Sequence, residues 1–469
     1  MTRRESDQDT IAAIATAVGE GGVGIVRLSG RESLAIAEKI FVSGSKKLVA
    51  DQKGFTAQYG HVIAKSSVLG GSRIIDEAIL LVMRAPKSYT AQDVVEIQVH
   101  GGSIVLQEVL ALAVQEGARL AAGGEFTKRA FLNGRIDLLQ AEAVLDLIQA
   151  KTEKSRQWAS AQLEGELSKK IAEMKKTLLE ILVFLEASID FPEDDLELGE
   201  YSGIENRIFE IKTKIQSLLR SSELGLLAKR GARVVLWGRP NAGKSSLMNR
   251  LAHHDRVIVT PIPGTTRDVV EEEIQLEGFP VRLFDTAGIQ ETTHPIEKEG
   301  VFRSRLAAAG SDLVLFVLDA GAELDAEDIA LYKEIESKPK MIVLNKSDLP
   351  KKISQSLLEN AGFDSAVIET SCQKAMGIVN LEKKILEWLG LGKAQDAGES
   401  VISSVRQRDV LQKMLEAVVS AQDACRDRLS PELVAVDVRL SLDCLGELLG
   451  EIVNDEMLDV LFGKFCIGK

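Results

Sequence analysis

Apolar residues recur along this chain in two rhythms, and the change from one to the other divides it. Over the first 120 residues the apolar runs are short and β-rich, at Gly24–Leu28, Ala78–Met83 and Val94–Val99, and one helical stretch follows from Ile104 to Glu116. This pattern predicts an α+β module. From Leu138 the spacing becomes helical, with Leu138, Ala141, Leu145 and Ile148 on one face and Leu178, Ile181, Leu182, Leu185 and Ile189 on a later one. Helix is expected to about Leu227, interrupted at Ile189–Asp195, where Pro192 and an acidic cluster favour a turn. Beyond Arg233 strand-like runs alternate with helical stretches: Val234–Trp237, Val281–Phe284, Leu313–Asp319, Met341–Asn345 and Val367–Ser371. That alternation predicts a doubly wound α/β sheet.

After the polar stretch Gly392–Ser400 helical spacing returns, through Leu411, Met414, Leu415 and Val418 and again through Leu445, Leu448, Leu449 and Ile452. An isolated amphipathic helix has nothing to cover its apolar face. The two helical halves are therefore expected to pack together as one domain with the α/β domain inserted. The expected divisions are 1–120, 121–227, 228–392 and 393–469, a multidomain α/β protein.

Length and composition narrow this further. A chain of 469 residues, 45% of them apolar, exceeds the size at which one core keeps growing, so two or three domains are expected. A net charge of -13 argues against indiscriminate coating of nucleic acid, although a local basic patch remains compatible with an RNA partner. The cysteines Cys372, Cys425, Cys444 and Cys466 are too few and too unevenly spaced for a disulfide framework, and none forms a C-x-x-C pair. The polar, acid-containing start Met1–Thr10 and the lack of an apolar run of about 20 residues predict a cytoplasmic protein without a membrane segment. The final Cys466-Ile467-Gly468-Lys469 superficially matches a prenylation signal, but Gly468 is not aliphatic and Lys469 is not a usual last residue.

The chemistry concentrates in the α/β stretch. Gly238-Arg239-Pro240-Asn241-Ala242-Gly243-Lys244-Ser245 fits G-x-x-x-x-G-K-[ST] between a strand and the helical Ser246–Leu251. Glycines let backbone N–H groups wrap phosphates at a helix N-terminus, Lys244 supplies a point charge to the β- and γ-phosphates, and the Ser245 hydroxyl suits Mg2+. Asp285-Thr286-Ala287-Gly288 ends the next apolar strand and places a carboxylate near the metal. Asn345-Lys346-Ser347-Asp348 closes another. A buried Asp348 can accept from both N1–H and the 2-amino group of guanine, and adenine would leave it unpaired, a selectivity of ~10^4 or more. GTP, not ATP, is the expected substrate. Ser371-Cys372-Gln373 follows the last strand and is expected to support the base by backbone contacts.

Between these motifs lies Thr260-Pro261-Ile262-Pro263-Gly264-Thr265-Thr266-Arg267-Asp268, a glycine-containing segment with paired threonines that suits a switch. Ile289 stands where a water-orienting glutamine is common, and an aliphatic side chain cannot orient water. Glu297 and Glu299 are the candidates for that task, with a cation replacing an arginine finger.

Other patterns are read as structural. Gly19–Gly24 spells G-x-G-x-x-G but runs into a strand instead of a helix. His253 and His254 diverge by about 100 degrees on a helix and do not form a ligand pair. His100 is read as a turn residue, and Glu271-Glu272-Glu273 as a solvated strand edge.

With the P-loop, Thr265–Asp268, Asp285–Gly288, Asn345–Asp348 and the tail Phe465–Lys469 in hand, the chain resembles the MnmE (TrmE) family of tRNA-modification GTPases. The likeness spans the whole length, including Gly22–Gly30, Val99–Gly102, Gly124–Thr127 and Ala130–Asn133. It implies an N-terminal tetrahydrofolate-binding domain that dimerises, a discontinuous α-helical domain and an inserted P-loop GTPase domain. It also implies a complex with the FAD-containing protein MnmG that installs an aminomethyl-type group on C5 of the wobble uridine of certain tRNAs.

By the same resemblance, Asn241, Thr260, Ile262 and Thr265 hold K+, Ser245 and Thr266 hold Mg2+, and Glu297 positions the attacking water. Arg27, Glu96, Arg135 and Lys469 bind 5-formyltetrahydrofolate or a relative. Physically, Arg27 suits a carboxylate gripped in a fork and Glu96 the amino edge of a pterin. Arg135 replaces the lysine usual in the family, Gln290 an arginine of some relatives and Gln373 a basic residue of the guanine loop. Cys466 is a candidate catalytic residue, or else a small apolar residue in a packed tail. The alternative function is a regulatory GTP switch, for instance in ribosome assembly, whose flanking domains bind RNA or protein.

Overall fold

A computed structural model describes residues 9–45, 47–65, 71–190, 198–254, 271–285, 308, 310–391 and 401–469. Two compact units emerge from the packing: 1–145 with 446–469, and 146–445.

The first unit is built on a seven-stranded sheet. Its elements are β1 (Ile11–Ile14), β2 (Gly21–Ser29), α1 (Ser33–Ile40), β3 (Phe41–Ser43), β4 (Thr56–Lys65), β5 (Ser72–Met83), β6 (Val94–Gly101), α2 (Ser103–Gln115), β7 (Arg119–Leu120), α3 (Glu125–Leu132) and α4 (Leu138–Gln149). Strand order is β3-β4-β5-β6-β2-β1-β7, antiparallel except where β1 meets β7. Alternation along the strands turns Val26, Leu28, Leu80, Val82, Val95 and Ile97 toward Ile36 and Ala37 of α1 and Val109 and Ala113 of α2. The α+β reading holds, with two helices before residue 120 instead of one. Helix α1 has only eight residues, too few turns for a period to stand out from the strands around it.

The second unit contains α5 (Glu153–Leu163), α6 (Glu166–Asp190), α7 (Leu198–Arg230), β8 (Ala232–Trp237), α8 (Lys244–His254), β9 (Glu271–Leu276), β10 (Phe279–Asp285), β11 (Leu313–Asp319), α9 (Ala326–Glu334), β12 (Lys340–Asn345), α10 (Gln355–Asn360), β13 (Val367–Glu369), α11 (Ile378–Trp388), α12 (Val405–Arg426) and α13 (Pro431–Leu449). Helix α6 is described to Asp190, and Pro192 with the rest of the expected turn to Asp195 lies outside the described residues. Helix α12 runs along α7, where Lys212 Nζ donates to Gln422 Oε1 at 2.9 Å and Tyr201 Oη to the Leu429 carbonyl at 3.0 Å. The helices on either side of the α/β stretch thus meet.

The six strands order as β13-β12-β11-β8-β10-β9, all parallel except the edge strand β9. Both faces are covered, as a doubly wound sheet requires. Leu313, Leu315 and Val317 turn to a core shared with Leu247, Leu251, Leu381 and Ile385, while Val314, Phe316 and Leu318 turn to one shared with Tyr332, Ile335, Leu358 and Phe363. The chain leaves β8 for β10 on one side and β11 on the other, so the carboxyl end of β8 is a topological switch point, where such sheets bind ligands.

Three expectations are corrected by element ends. The strand expected over Val367–Ser371 stops at Glu369, because Thr370 and Ser371 give their backbone groups to Ser347 and Met376. Ile148, expected on the buried face of α4, is 46% exposed in its last turn. Ile452 lies beyond α13, which ends at Leu449 ahead of Gly450 with φ +84. The chain completes the first unit with α14 (Asp455–Phe462), whose Leu458 and Phe462 pack on Ala130, Leu138 and Ala141. No helix among the described residues is long and apolar enough to cross a membrane.

Candidate nucleotide site

The loop from β8 into α8 turns through conformations that side chains resist. Gly238 has φ +143, and a Cβ there would lie 2.3 Å from the Val317 carbonyl oxygen. Gly243 has φ +94, and a Cβ would lie 2.2 Å from Asn345 Nδ2. Between them Asn241 takes φ +65, a region that asparagine tolerates better than most residues. Helix α8 starts at Lys244, so its unbonded N–H groups face the loop.

Lys244 is 3% exposed and folds back, with Nζ donating to the Gly238 and Arg239 carbonyls at 2.7 Å each. Burial pushes its ammonium pKa down, and the Asp285 carboxylate opposes that. Ser245 Oγ donates to Asp285 Oδ2 at 2.6 Å. This pair joins the start of α8 to the end of β10 and sets two hard oxygen ligands side by side, the donor chemistry Mg2+ selects. Glycine turns without Cβ, a buried lysine and a hydroxyl–carboxylate corner all fit a Mg2+-bound nucleoside triphosphate. Arg239 anchors the loop from outside, to Asp325 Oδ2 at 2.9 Å and Asp328 Oδ1 at 2.7 Å. That anchor was not legible, since the motif leaves the position unspecified.

The segment Asn345–Asp348, expected to read the base, is tied to the same loop. Asn345, 1% exposed, donates through Nδ2 to the Ala242 carbonyl at 3.2 Å and the Gly243 carbonyl at 3.4 Å. Lys346 Nζ donates to the Asn241 carbonyl at 2.8 Å and to Asp319 Oδ2 at 2.7 Å. Ser347 N donates to the Thr370 carbonyl. Asp348 is half-buried instead of buried, and Ser371 Oγ donates to its Oδ1, which holds the carboxyl below the usual carboxylate range. Ser371 thus acts through its side chain, beyond the backbone support expected of it. Cys372, its thiol pushed up by burial, lies 3.4 Å from Asn345 Oδ1, whereas Gln373 and Ser246 are exposed. Asp319 and Thr370 complete the arrangement; the strand-end position of Asp319 was its only signal.

Thr260, Pro261, Ile262, Pro263, Gly264, Thr265 and Thr266 lie outside the described residues, as do Thr286, Ala287, Gly288, Ile289, Gln290, Glu297 and Glu299.

The N-terminal candidates converge as well. Arg27 and Glu96 are cross-strand partners on β2 and β6, and Arg27 Nε meets Glu96 Oε1 at 2.8 Å. The guanidinium also donates to the Gly468 carbonyl at 3.3 Å and lies 5.7 Å from the Phe126 ring centroid and 6.0 Å from that of Tyr89. Arg135 stacks over Tyr89 at 4.9 Å and donates to its carbonyl at 3.0 Å. The Lys469 carbonyl accepts from Phe126 N at 3.2 Å. Arg27 and Glu96, read as separate contacts to a ligand, are thus paired with each other in this state, because the register sets them opposite. Tyr89 and Phe126 are additions, hidden in the sequence as ordinary aromatics.

Cys466 is exposed and not packed as a small apolar residue. His100 lies within β6 and not in a turn, with Nδ1 2.8 Å from Asp76 Oδ1. The Gly19–Gly24 pattern does run into β2, as expected. Glu273, on edge strand β9, is not simply solvated: it meets Lys151 and Arg282.

Comparison with known proteins agrees with this geometry. The family described as the MnmE helical domain matches residues 138–466, and that described as the GTP-binding protein TrmE N-terminus matches 10–135. The tRNA modification GTPase MnmE of Alkaliphilus oremlandii is 41% identical over 461 residues, 98% of this chain and 99% of that one. Those of Bacillus subtilis and Geobacillus kaustophilus are 42% and 43% identical over 462 residues, again 98% of this chain, with 100% and 99% of theirs covered. Among solved structures, the G domain of the T. maritima FeoB iron transporter is 27% identical, covering 34% of this chain and 98% of that one, with a TM-score of 0.27. With both family descriptions matched and full-length relatives above 40% identity, this chain, a GTP-hydrolysing enzyme, belongs to the MnmE family of tRNA modification GTPases.

Proposed function

We propose that this chain is the GTP-hydrolysing subunit of a complex that adds a carboxymethylaminomethyl-type group to C5 of the wobble uridine, U34, of certain tRNAs, with a tetrahydrofolate as one-carbon donor. The carrying observation is the cluster of Arg27, Glu96 and Arg135 around the Tyr89 and Phe126 rings. Two guanidinium groups suit the carboxylates of a folate, the partly exposed Tyr89 ring suits its flat heterocycle with Phe126 buried behind the Arg27 guanidinium, and a carboxylate suits the pterin amino edge. Lys469 would join them, and exposed Cys466 would stand ready for the modification chemistry.

In the GTPase site, Lys244 and the loop amides would hold the phosphates, Ser245 and Thr266 would ligate Mg2+, and Asp285 would orient that corner. Asn345, Lys346 and Asp348 would select guanine, flanked by Ser371, Cys372 and Gln373. Asn241, Thr260, Ile262 and Thr265 would hold K+, which supplies positive charge to the transition state, while Glu297 positions water. The proposed organisation is a folate-binding and dimerising domain over 1–120, a helical domain from 121–227 and 393–469, and a GTPase domain over 228–392. The proposed setting is a cytoplasmic homodimer working with FAD-containing MnmG on tRNA.

Binding of 5-formyltetrahydrofolate by the full-length protein, lost in Arg27→Ala, is the direct test. A regulatory GTP switch with no modification role has no use for folate, so absence of binding would favour that reading. Equal GTP turnover in K+ and Na+ would remove the cation. Mass analysis of wobble uridines from cells lacking the protein tests the reaction itself.

A further inference from the structure

Tyr89 joins the two guanidinium groups of the N-terminal cluster, and what holds its ring is buried. The Tyr89 hydroxyl lies 2.9 Å from Thr127 Oγ1, and Thr127, in the first turn of α3, is 0% exposed. The segment that carries the ring is pinned from two sides. Asn133 Nδ2, at the end of α3, donates to the Thr90 carbonyl at 2.8 Å, and Ser29 of β2 shares a hydroxyl hydrogen bond with Thr90 at 2.7 Å. Ser29 and Thr90 are both fully buried. Burial pushes the Tyr89 phenol above its usual pKa, although the Thr127 hydrogen bond and the charges of Arg135 and Arg27 oppose that. The hydroxyl therefore keeps its proton near neutral pH, and the pair with Thr127 persists.

The ring in turn steadies the two cations. Arg135 is exposed, and its hydrogen bond and its ring contact both go to Tyr89. A free arginine side chain samples many rotamers, and a ring under the guanidinium removes much of that freedom before a ligand arrives. Arg27 is held by Glu96 and the Gly468 carbonyl, and its guanidinium lies 6.0 Å from the same ring centroid, against 4.9 Å for Arg135. One aromatic ring thus fixes the gap between two forks, each suited to a carboxylate. A ligand with two carboxylates can engage both at once.

We infer that Thr127 and Tyr89 are positioning residues that set this gap to the two carboxylates of a glutamyl end, so that the site favours ligands carrying one. They act through Arg27 and Arg135. The role presupposes the folate reading, because a folate ends in such a group.

The test compares two ligands on the full-length protein: 5-formyltetrahydrofolate and 5-formyltetrahydropteroate, which has the same heterocycle and no glutamate. The unmodified protein should bind the first more tightly. Thr127→Val keeps the shape and removes the hydroxyl, and Tyr89→Phe removes its partner. Each should cut the preference for the glutamate-bearing ligand by about three- to tenfold, the worth of one hydrogen bond between neutral groups. The double variant should lose no more than either single one, since both break the same pair. Thr127→Ser keeps a hydroxyl and should restore the preference to within about twofold.

An unchanged preference in both single variants overturns the proposal. So does an equal loss for the two ligands, which would mean that the ring serves the heterocycle alone. Should Thr127→Val fail to fold, Tyr89→Phe, altered only at the edge of a half-exposed ring, decides alone. Unmodified protein that binds neither ligand would sink the folate reading itself, and this role with it.

Discussion

Ser245 donates its hydroxyl to Asp285 at 2.6 Å across 40 residues of sequence, joining the first turn of α8 to the last residue of β10. Neither side chain alone distinguishes a metal corner from an ordinary strand end. Together they place a neutral and an anionic oxygen where Mg2+ can be held directly by one and oriented by the other. Ser245→Ala removes the proposed Mg2+ ligand and should leave the fold intact, because Ser245 is exposed. Its GTP turnover at saturating Mg2+ should fall roughly a hundredfold, the size of effect expected when one charge-stabilising contact is lost from such a site. A phosphate-release assay across a Mg2+ titration checks this, and unchanged turnover with an unchanged Mg2+ midpoint would remove the assignment.

Guanine selection should rest on two residues of unequal weight. Asp348→Ala removes the carboxylate, so preference for GTP over ATP should drop by a factor of ~10^2 or more. Ser371→Ala leaves the carboxylate but removes the hydroxyl that orients it. The half-exposed setting of Asp348 lets water replace part of that hydrogen bond, so only about a fivefold loss of GTP affinity is expected. Competition binding with the two nucleotides separates the outcomes, and a larger effect at Ser371 than at Asp348 would reverse their roles.

Much of this site was legible because its signals are local. The motif from Gly238 to Ser245 needs only a strand before it and a helix after, and the apolar runs at Val234 and Leu247 supply both. The doubly wound sheet followed from fully apolar runs such as Leu313–Leu318, which alternate between two cores. What escaped was long-range pairing. Nothing near Arg239 points to Asp325 and Asp328, and nothing near Arg27 indicates that register would set Glu96 opposite it. Short elements such as α1 escaped because eight residues barely establish a period.

The pair formed by His100 and Asp76 gives the first unit a pH-dependent contact. Its hydrogen bond to Asp76 and that carboxylate's charge raise the His100 pKa above 6.5. Burial pushes Asp76 up, but hydrogen bonds from His100 outweigh it and hold the carboxyl below 3.8. The histidine's contribution is therefore complete below pH 6.5 and lost as pH rises through its higher folded value. The aspartate's is present above 3.8 and lost as pH falls through its lower one. Between those limits the pair is charged on both sides. Histidine proton resonances should show His100 titrating above 6.5, and Asp76→Asn should bring the midpoint down. In thermal melts, His100→Gln should lower Tm at pH 6 and converge with the unmodified protein at pH 9; a gap that widens with pH would contradict the sign.

Gly243 is the position where the phosphate loop and the base-reading segment depend on one missing atom. Its φ of +94 is rarely adopted by residues with a side chain, and its Cβ would fall 2.2 Å from Asn345 Nδ2. Asn345 cannot yield cheaply: it is 1% exposed and bonded to Ala242 and Gly243, while the neighbouring Thr370 Oγ1 donates to its Oδ1 at 3.4 Å. Gly243→Ala therefore displaces Asn345 together with the loop. Loss of GTP and GDP binding should be nearly complete, with a destabilisation of the α/β module of about 2–4 kcal/mol from backbone strain and broken buried hydrogen bonds. The neighbouring Ala242→Gly adds no atom and serves as the control, expected to cost about 1 kcal/mol or less through the freedom glycine gains in the unfolded chain. Nucleotide titration with denaturant melts of both variants reads the two effects apart. If Gly243→Ala bound GTP normally, the close approach of Asn345 to the phosphate loop could not be part of the working site.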